Sequence, residues 1–294
     1  MLIIFVLLGM HRVINILRLL LLPLLFLVSF SFADKFNEKV LNGFNLSNST
    51  IPTSKILSGG PPRDGIPSLD NPKFVSANQA NFLTAPDRVL GIVINDEARA
   101  YPIKILNWHE IVNDVIRGIP IVITYCPLCG SGIVYHSRIN GTNHTFGVSG
   151  LLYNSDVLLY DRQTKTLWSQ ILSKAISGSL VNTKINIIPS SHTNWQTWKK
   201  KHPKTKVLST NTDYDRNYNR SPYGNYDKNR SLYFQVDAQS KKYHPKERVL
   251  GITINGKHKS YAFAELARHK QSPLHDTFAG KQLIISFDAQ TAMV

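Results

Sequence analysis

From residue 88 onward the chain is built of short apolar, β-branched runs broken by tight polar turns, with few helical stretches between them. Arg88 to Asn95 reads as a strand closed by the turn Asn95-Asp96, and a second strand leads to Pro102. The pattern then predicts a helix from Ile103 to Val115, with Gly118 suited to its C-terminal end. Ile119 to Tyr125 is apolar throughout and reads as an interior strand. Ile133 to His136 and His144 to Val148 alternate around Asn140-Gly141 as a hairpin should. Val157 to Tyr160 and Thr166 to Trp168 flank the polar turn Asp161-Arg162-Gln163, and Trp195 to Lys201 is a short helix candidate. Residues 211 to 230, dense in Asn, Asp, Arg, Tyr and Gly, predict a long irregular excursion.

Part of this pattern repeats. Arg88-Val89-Leu90-Gly91-Ile92-Val93-Ile94-Asn95 recurs as Arg248-Val249-Leu250-Gly251-Ile252-Thr253-Ile254-Asn255, an offset of 160. After a shift of two, Asp114 to Tyr125 matches Asp276 to Phe287. The fold class that follows is α+β and β-rich, with two related halves from an internal duplication, the second degenerate or truncated. The first half should span 87–210, an irregular connection 211–247, and the second half 248–294.

The N-terminal third differs in character. Arg12 and Arg18, an apolar run from Leu19 to Phe32 and the small-residue end Ser31-Phe32-Ala33 read as a secretory signal over 1–33, with a retained membrane anchor as the alternative. Met10 would make a more ordinary start than Met1. Residues 34–86, rich in Ser, Asn, Pro and Gly, are expected as an extended arm. Either reading of the first segment places the protein outside the cytoplasm, where six Asn-x-Ser/Thr sequons (at Asn45, Asn48, Asn140, Asn143, Asn219 and Asn229) could accept glycans.

Charge narrows the partners. Removing 1–33 takes away two of 34 basic residues and leaves 32 against 19 acidic ones, a net +13. These bases are scattered, with Lys199-Lys200-Lys201 the one run, so a solvated surface is expected and nucleic acid is not.

Both cysteines of the chain, Cys126 and Cys129, fall in one Cys-Pro-Leu-Cys-Gly turn, and only in the first repeat, since Asp288 and Thr291 take their places in the second. Proline fixes one backbone angle of such a turn and glycine permits the tight return, which lets N–H groups face the sulfurs. This is half of a thiolate metal site, to be completed by histidine or carboxylate, and it suits copper or zinc. His136 on the outgoing strand, His144 across the hairpin and His109 on the preceding helix are the histidine candidates. His109 has a counterpart, His269, in the repeat without thiols, which argues for a structural role. A thiol–disulfide redox pair is the second reading, weakened because Gly130-Ser131-Gly132 leads into a strand and not into a helix. A local structural disulfide is the third. The chain has no Gly-rich phosphate loop and no HExxH, so whether it is an enzyme stays open.

The ordered strings Asn107-Trp108-His109-Glu110, Tyr125-Cys126-Pro127-Leu128-Cys129, Phe146 to Ser155, and Tyr160-Asp161-Arg162-Gln163 with Trp168-Ser169-Gln170 resemble a family of exported prokaryotic proteins known as DUF3179, a domain of unknown function. The resemblance covers about Arg88 to the end. It implies no established activity, but it groups Trp108, His109, Glu110, the two cysteines, Ser149, Asn154, Asp161, Arg162 and Trp168 around one site. If the cysteines only form a disulfide, those residues are candidates for a small-ligand or glycan pocket. Family members resemble one another past the second strand block, so this chain's second half is expected to be a shortened one.

Overall fold

The computed structural model describes residues 39–269, 273–291 and 293–294. Residues 1–33, expected as a signal or anchor, lie outside the described residues, and no described helix is long and apolar enough to cross a membrane.

Three antiparallel-dominated sheets stack in layers. The middle one has four strands in the order β16-β9-β8-β7: β7 (Ile111–Ile116), β8 (Ile119–Cys126), β9 (Ser131–His136) and β16 (Ile187–Ile188). On one side lies the five-stranded sheet β17-β5-β6-β18-β4, from β4 (Phe74–Ser76), β5 (Arg88–Ile94), β6 (Glu97–Pro102), β17 (Ser191–Asn194) and β18 (Lys206–Leu208). On the other lies β15-β14-β13-β12-β3, from β3 (Ile56–Ser58), β12 (Phe146–Tyr153), β13 (Asp156–Asp161), β14 (Leu167–Ser169) and β15 (Lys174–Ser177). Two small hairpins, β1–β2 (Val40–Leu41, Phe44–Asn45) and β10–β11 (Arg138–Ile139, Thr142–Asn143), complete this part.

Strand β8 is apolar throughout because both its faces are covered. Ile121, Ile123 and Tyr125 join one core with Leu90, Ile92 and Val134, whereas Val122 and Cys126 join another with Phe146, Leu159 and Trp168. The period of two along a strand therefore puts Cys126 and Tyr125 on opposite faces of the sheet.

Two expectations are corrected. The helix α1 covers only Ile103–His109. Glu110 takes a left-handed φ of 57° and its N–H closes on the Leu106 carbonyl, after which β-branched Ile111, Val112 and Val115 pair with β8. Residues 39–86 are not an extended arm: β3 and β4 extend two of the sheets, and Phe44, Leu46, Ile51, Ile56 and Leu69 are buried. The Ser/Pro/Gly composition marks tight turns there, and the sparse apolar residues are the ones that anchor it.

Helix α2 (Trp195–Lys201) forms over the span the sequence predicts, capped by Asn194, whose side chain accepts the Thr197 N–H. It presses Trp198 onto Gly91, where a Cβ would come within 2.3 Å of the indole ring. Gly91→Ala should therefore cost about 3 kcal/mol. Gly251, the glycine at the matching position of the recurring sequence string, has nothing within 4 Å of that Cβ. Gly251→Ala should shift stability by less than about 0.5 kcal/mol. Urea unfolding of both variants checks the pair; equal losses would refute the packing explanation.

The C-terminal strands repeat the local geometry of β5 to β8. β19 (Val249–Ile254) and β20 (Lys257–Ala262) pair Val249 with Ala262, as β5 and β6 pair Val89 with Pro102. Helix α3 (Phe263–Arg268) follows, then β21 (Leu274–Phe278) and β22 (Lys281–Ile285). Tyr261 donates to Asp276 at 2.6 Å, as Tyr101 does to Asp114 at 2.6 Å.

Candidate metal centre

Cys126 is the last residue of β8, and the turn that follows returns the chain into β9 with Cys126 opposite Ser131. Gly130 makes the return possible with a φ of 66°, its N–H bonding the Cys126 carbonyl at 2.8 Å. Cys126 is buried and Cys129 exposed; both are free thiols, so the local disulfide expected as one alternative is not formed.

The second wall of the site is the tight turn between β12 and β13. Asn154 and Ser155 both take positive φ, 54° and 63°, the pattern of a two-residue hairpin turn. That turn brings the Ser155 carbonyl to 3.1 Å from the Cys129 Sγ and 3.5 Å from the Cys126 Sγ. It also places Asp156 at the start of β13, with Oδ1 4.0 Å from the Cys129 Sγ. The two sulfurs and an Asp156 oxygen all lie within 4.8 Å of one another.

Asp156 is 3% exposed, and its Oδ2 accepts from the Ser169 hydroxyl at 3.2 Å and the Ile171 N–H at 3.0 Å. Burial pushes its carboxyl up to about 7, against those hydrogen bonds. Glu110 is a second buried carboxyl. Its Oε1 accepts from the Tyr223 hydroxyl at 2.7 Å, and burial raises it to about 7 as well. Cys126 is pushed well above the ordinary thiol range, first by burial and then by Cys129, Asp156 and Glu110. Cys129, Asp156 and Glu110 thus all disfavour charge on the buried Cys126 thiol.

Gln170, fully buried, ties the hairpin to β14: it accepts from the Ser131 hydroxyl at 2.7 Å and donates to the Thr124 Oγ1 at 2.9 Å. The irregular 211–247 segment covers the site. It supplies Tyr223, its Phe234 carbonyl accepts from the Ser155 hydroxyl at 3.1 Å, and the Asp237 N–H bonds the Asn154 side chain at 2.7 Å. Lys246 pins this cover, donating to the carbonyls of Tyr226, Asn229 and Ser231 while lying 3.6 Å from the centroid of the Tyr226 ring.

A family described as a protein of unknown function, DUF3179, matches residues 63–294. The chain belongs to this family. No curated protein and no solved structure matches it. In this DUF3179 chain the histidine candidates lie away from the sulfurs, and among the described residues none joins the thiol–carboxylate cluster. His136 sits at the far end of β9, opposite Ile121, roughly 17 Å along the strand from Ser131. His144 is buried against Asp161, with Nδ1 3.1 Å from Oδ1. Both ring nitrogens of His109 are engaged, by the Pro67 carbonyl at 2.8 Å and the Tyr218 hydroxyl at 2.6 Å.

The other family-block residues divide by role. Asp161, fully buried, accepts from Trp168 Nε1 at 3.0 Å and Thr164 N at 2.7 Å, and so locks the turn after β13. Ser149 is also fully buried and donates to the Leu158 carbonyl. Trp168 packs edge-on to Phe146 in the core. Arg162 bonds Asp70 and Ser68, tying β13 to the N-terminal segment. Trp108 donates to the Arg220 carbonyl at 2.9 Å and holds the covering segment. Of these residues only Glu110 and Asn154 border the thiols. Asp156, Tyr223, Tyr226 and Gln170 were not singled out by sequence reasoning for this site. Asp156 adjoins the family string at Asn154-Ser155 but carries no ligand-spacing signal of its own, and for the tyrosines no spacing signal exists.

Proposed function

We propose that this protein, exported from the cytoplasm, holds one transition-metal ion through Cys126, Cys129 and Asp156. The observation that carries the reading is the convergence of three ligating atoms within 4.8 Å, at a spot where burial and then the neighbouring acidic groups push the Cys126 thiol up. A divalent cation reverses that electrostatic cost, because each acidic group then faces positive charge. Two thiolates with one carboxylate suit zinc better than the softer cuprous ion. Three protein ligands, one of them the exposed Cys129, leave one coordination position for water or a guest ligand. Glu110, held by Tyr223, stands beside this set as a neighbouring carboxylate.

Internal duplication belongs to the same reading. The matched registers of β5–β6 and β19–β20, and the repeated Tyr–Asp pairs, support a copied hairpin–helix–hairpin unit. In it the thiol turn is an elaboration of the first copy.

The test is metal analysis of protein prepared under reducing, anaerobic conditions and offered zinc or copper. About one ion per chain is expected in the wild type and none in Cys126→Ser/Cys129→Ser; a wild type without stoichiometric metal overturns the proposal. One observation favours thiol–disulfide exchange as a second reading: an exposed free thiol beside a buried one, flanked by carboxyls near 7. It requires a reduction potential above about −300 mV, and an inert disulfide below that value removes it.

A further inference from the structure

A second cluster of charged side chains lies on the opposite face of the β8–β9 hairpin, and it is basic. Arg88 opens β5, on the face of that strand shared with Leu90 and directed at the middle sheet. Its Nη2 is buried and has no hydrogen-bond partner, and among the described residues Arg88 is in no ion pair. Leaving a guanidinium nitrogen dry and unmatched is costly, so such a group points to an acceptor.

The surroundings agree. His192, opposite Leu90 on β17, folds over Gly132 with its Nε2 2.9 Å from the Gly132 carbonyl. Burial, together with Arg88 and Arg248, lowers this imidazole to about 4, so it stays neutral at physiological pH. Arg248, the repeat counterpart of Arg88, stacks on Phe263 with its guanidinium carbon 4.8 Å from the ring centroid. Its pKa is lowered by burial and then by Arg88. The same two arginines act on the Tyr125 phenol, whose pKa burial raises. Arg88 and Arg248, from matching positions of the recurring string, thus act electrostatically on the same two groups, His192 and Tyr125.

We propose that Arg88, with Arg248 in support, binds a small oxyanion, a carboxylate, phosphate or sulfate group, where β5 and β17 face the back of the thiol hairpin. The planar fork of each guanidinium suits such groups, and an anion held beside Arg88 would offset the repulsion between the two. Because Tyr125 and Cys126 are consecutive on β8, the oxyanion would sit one residue from the thiol site but across the sheet from it.

Isothermal titration of the full chain with inorganic phosphate, sulfate and acetate, at pH 7 and constant ionic strength, tests this. Saturable binding of one ion per chain is expected for at least one of the three, weakened about tenfold or more in Arg88→Gln and in Arg248→Gln. Arg88→Lys keeps the charge without the fork and should retain part of the affinity; circular dichroism confirms that the variants are folded. Preference for acetate would indicate the carboxylate of a larger ligand, and preference for phosphate or sulfate an inorganic or esterified group. No saturable binding of any probe, or equal binding by wild type and Arg88→Gln, overturns the assignment.

Discussion

Replacing Asp156 with asparagine lowers metal affinity by at least about hundredfold, with the fold retained. Residues that merely orient a ligand already cost ten- to hundredfold when removed, and Asp156 is proposed as a ligand itself. Its Oδ2 is committed to Ser169 and Ile171, which fixes the carboxylate plane and leaves Oδ1 toward the sulfurs. Asparagine preserves the shape and keeps an oxygen acceptor, so those two hydrogen bonds survive, but it removes the negative charge. Competition titration against a chromophoric chelator reads the change directly. Affinity within about threefold of the wild type would remove Asp156 from the site and leave the cysteines without a third protein ligand.

The second large effect is a dependence of metal-free stability on pH. Glu110 and Asp156 carry folded-state values near 7, against ordinary values of 4.5 and 3.8. A raised carboxyl pKa means the folded protein holds protons that the unfolded chain has released. The contribution is therefore complete below about pH 4 and is lost as pH rises through 7, amounting to about 3 kcal/mol for Glu110 and about 4 kcal/mol for Asp156. Metal-free protein should accordingly melt lower at pH 8 than at pH 5.5, in a window where most proteins change little. Zinc should reverse the trend, because the bound ion favours the ionised carboxylate and thiolates. Glu110→Gln should flatten about half of the metal-free dependence and leave one zinc bound. Melting temperatures that stay flat between pH 5 and 8 in the metal-free wild type would contradict the burial argument for both carboxyls.

Much of the local structure was legible in the residues. The run Ile119 to Tyr125 has no polar face, and it became the central strand covered on both sides. Trp195 to Lys201 carries its own Asn194 cap and formed as a helix over that span. The helix after Pro102 was read too long, since periodicity cannot see that Glu110 turns left-handed and that Ile111 onward finds a strand partner. The 39–86 segment was read as an arm because its few apolar residues are spaced irregularly. They are buried by contact with distant strands, as when β3 pairs with β12, and not by any pattern of their own.

By itself the sequence determined where the thiol chemistry sits and the turn that holds it, because a Cys-Pro-Leu-Cys-Gly loop is a local geometry set by neighbouring dihedral angles. It also determined the repeated strand block and the family. Tertiary structure alone decided the company that the thiols keep. His136 is close in sequence, yet the strand direction carries it away, whereas Asp156, 30 residues from Cys126, arrives through the Asn154-Ser155 turn of another sheet. The burial of the Glu110 carboxyl, the covering tyrosines and the unpartnered Arg88 Nη2 follow in the same way from the stacking of layers. Layers bring together residues whose separation along the chain carries no periodic signal.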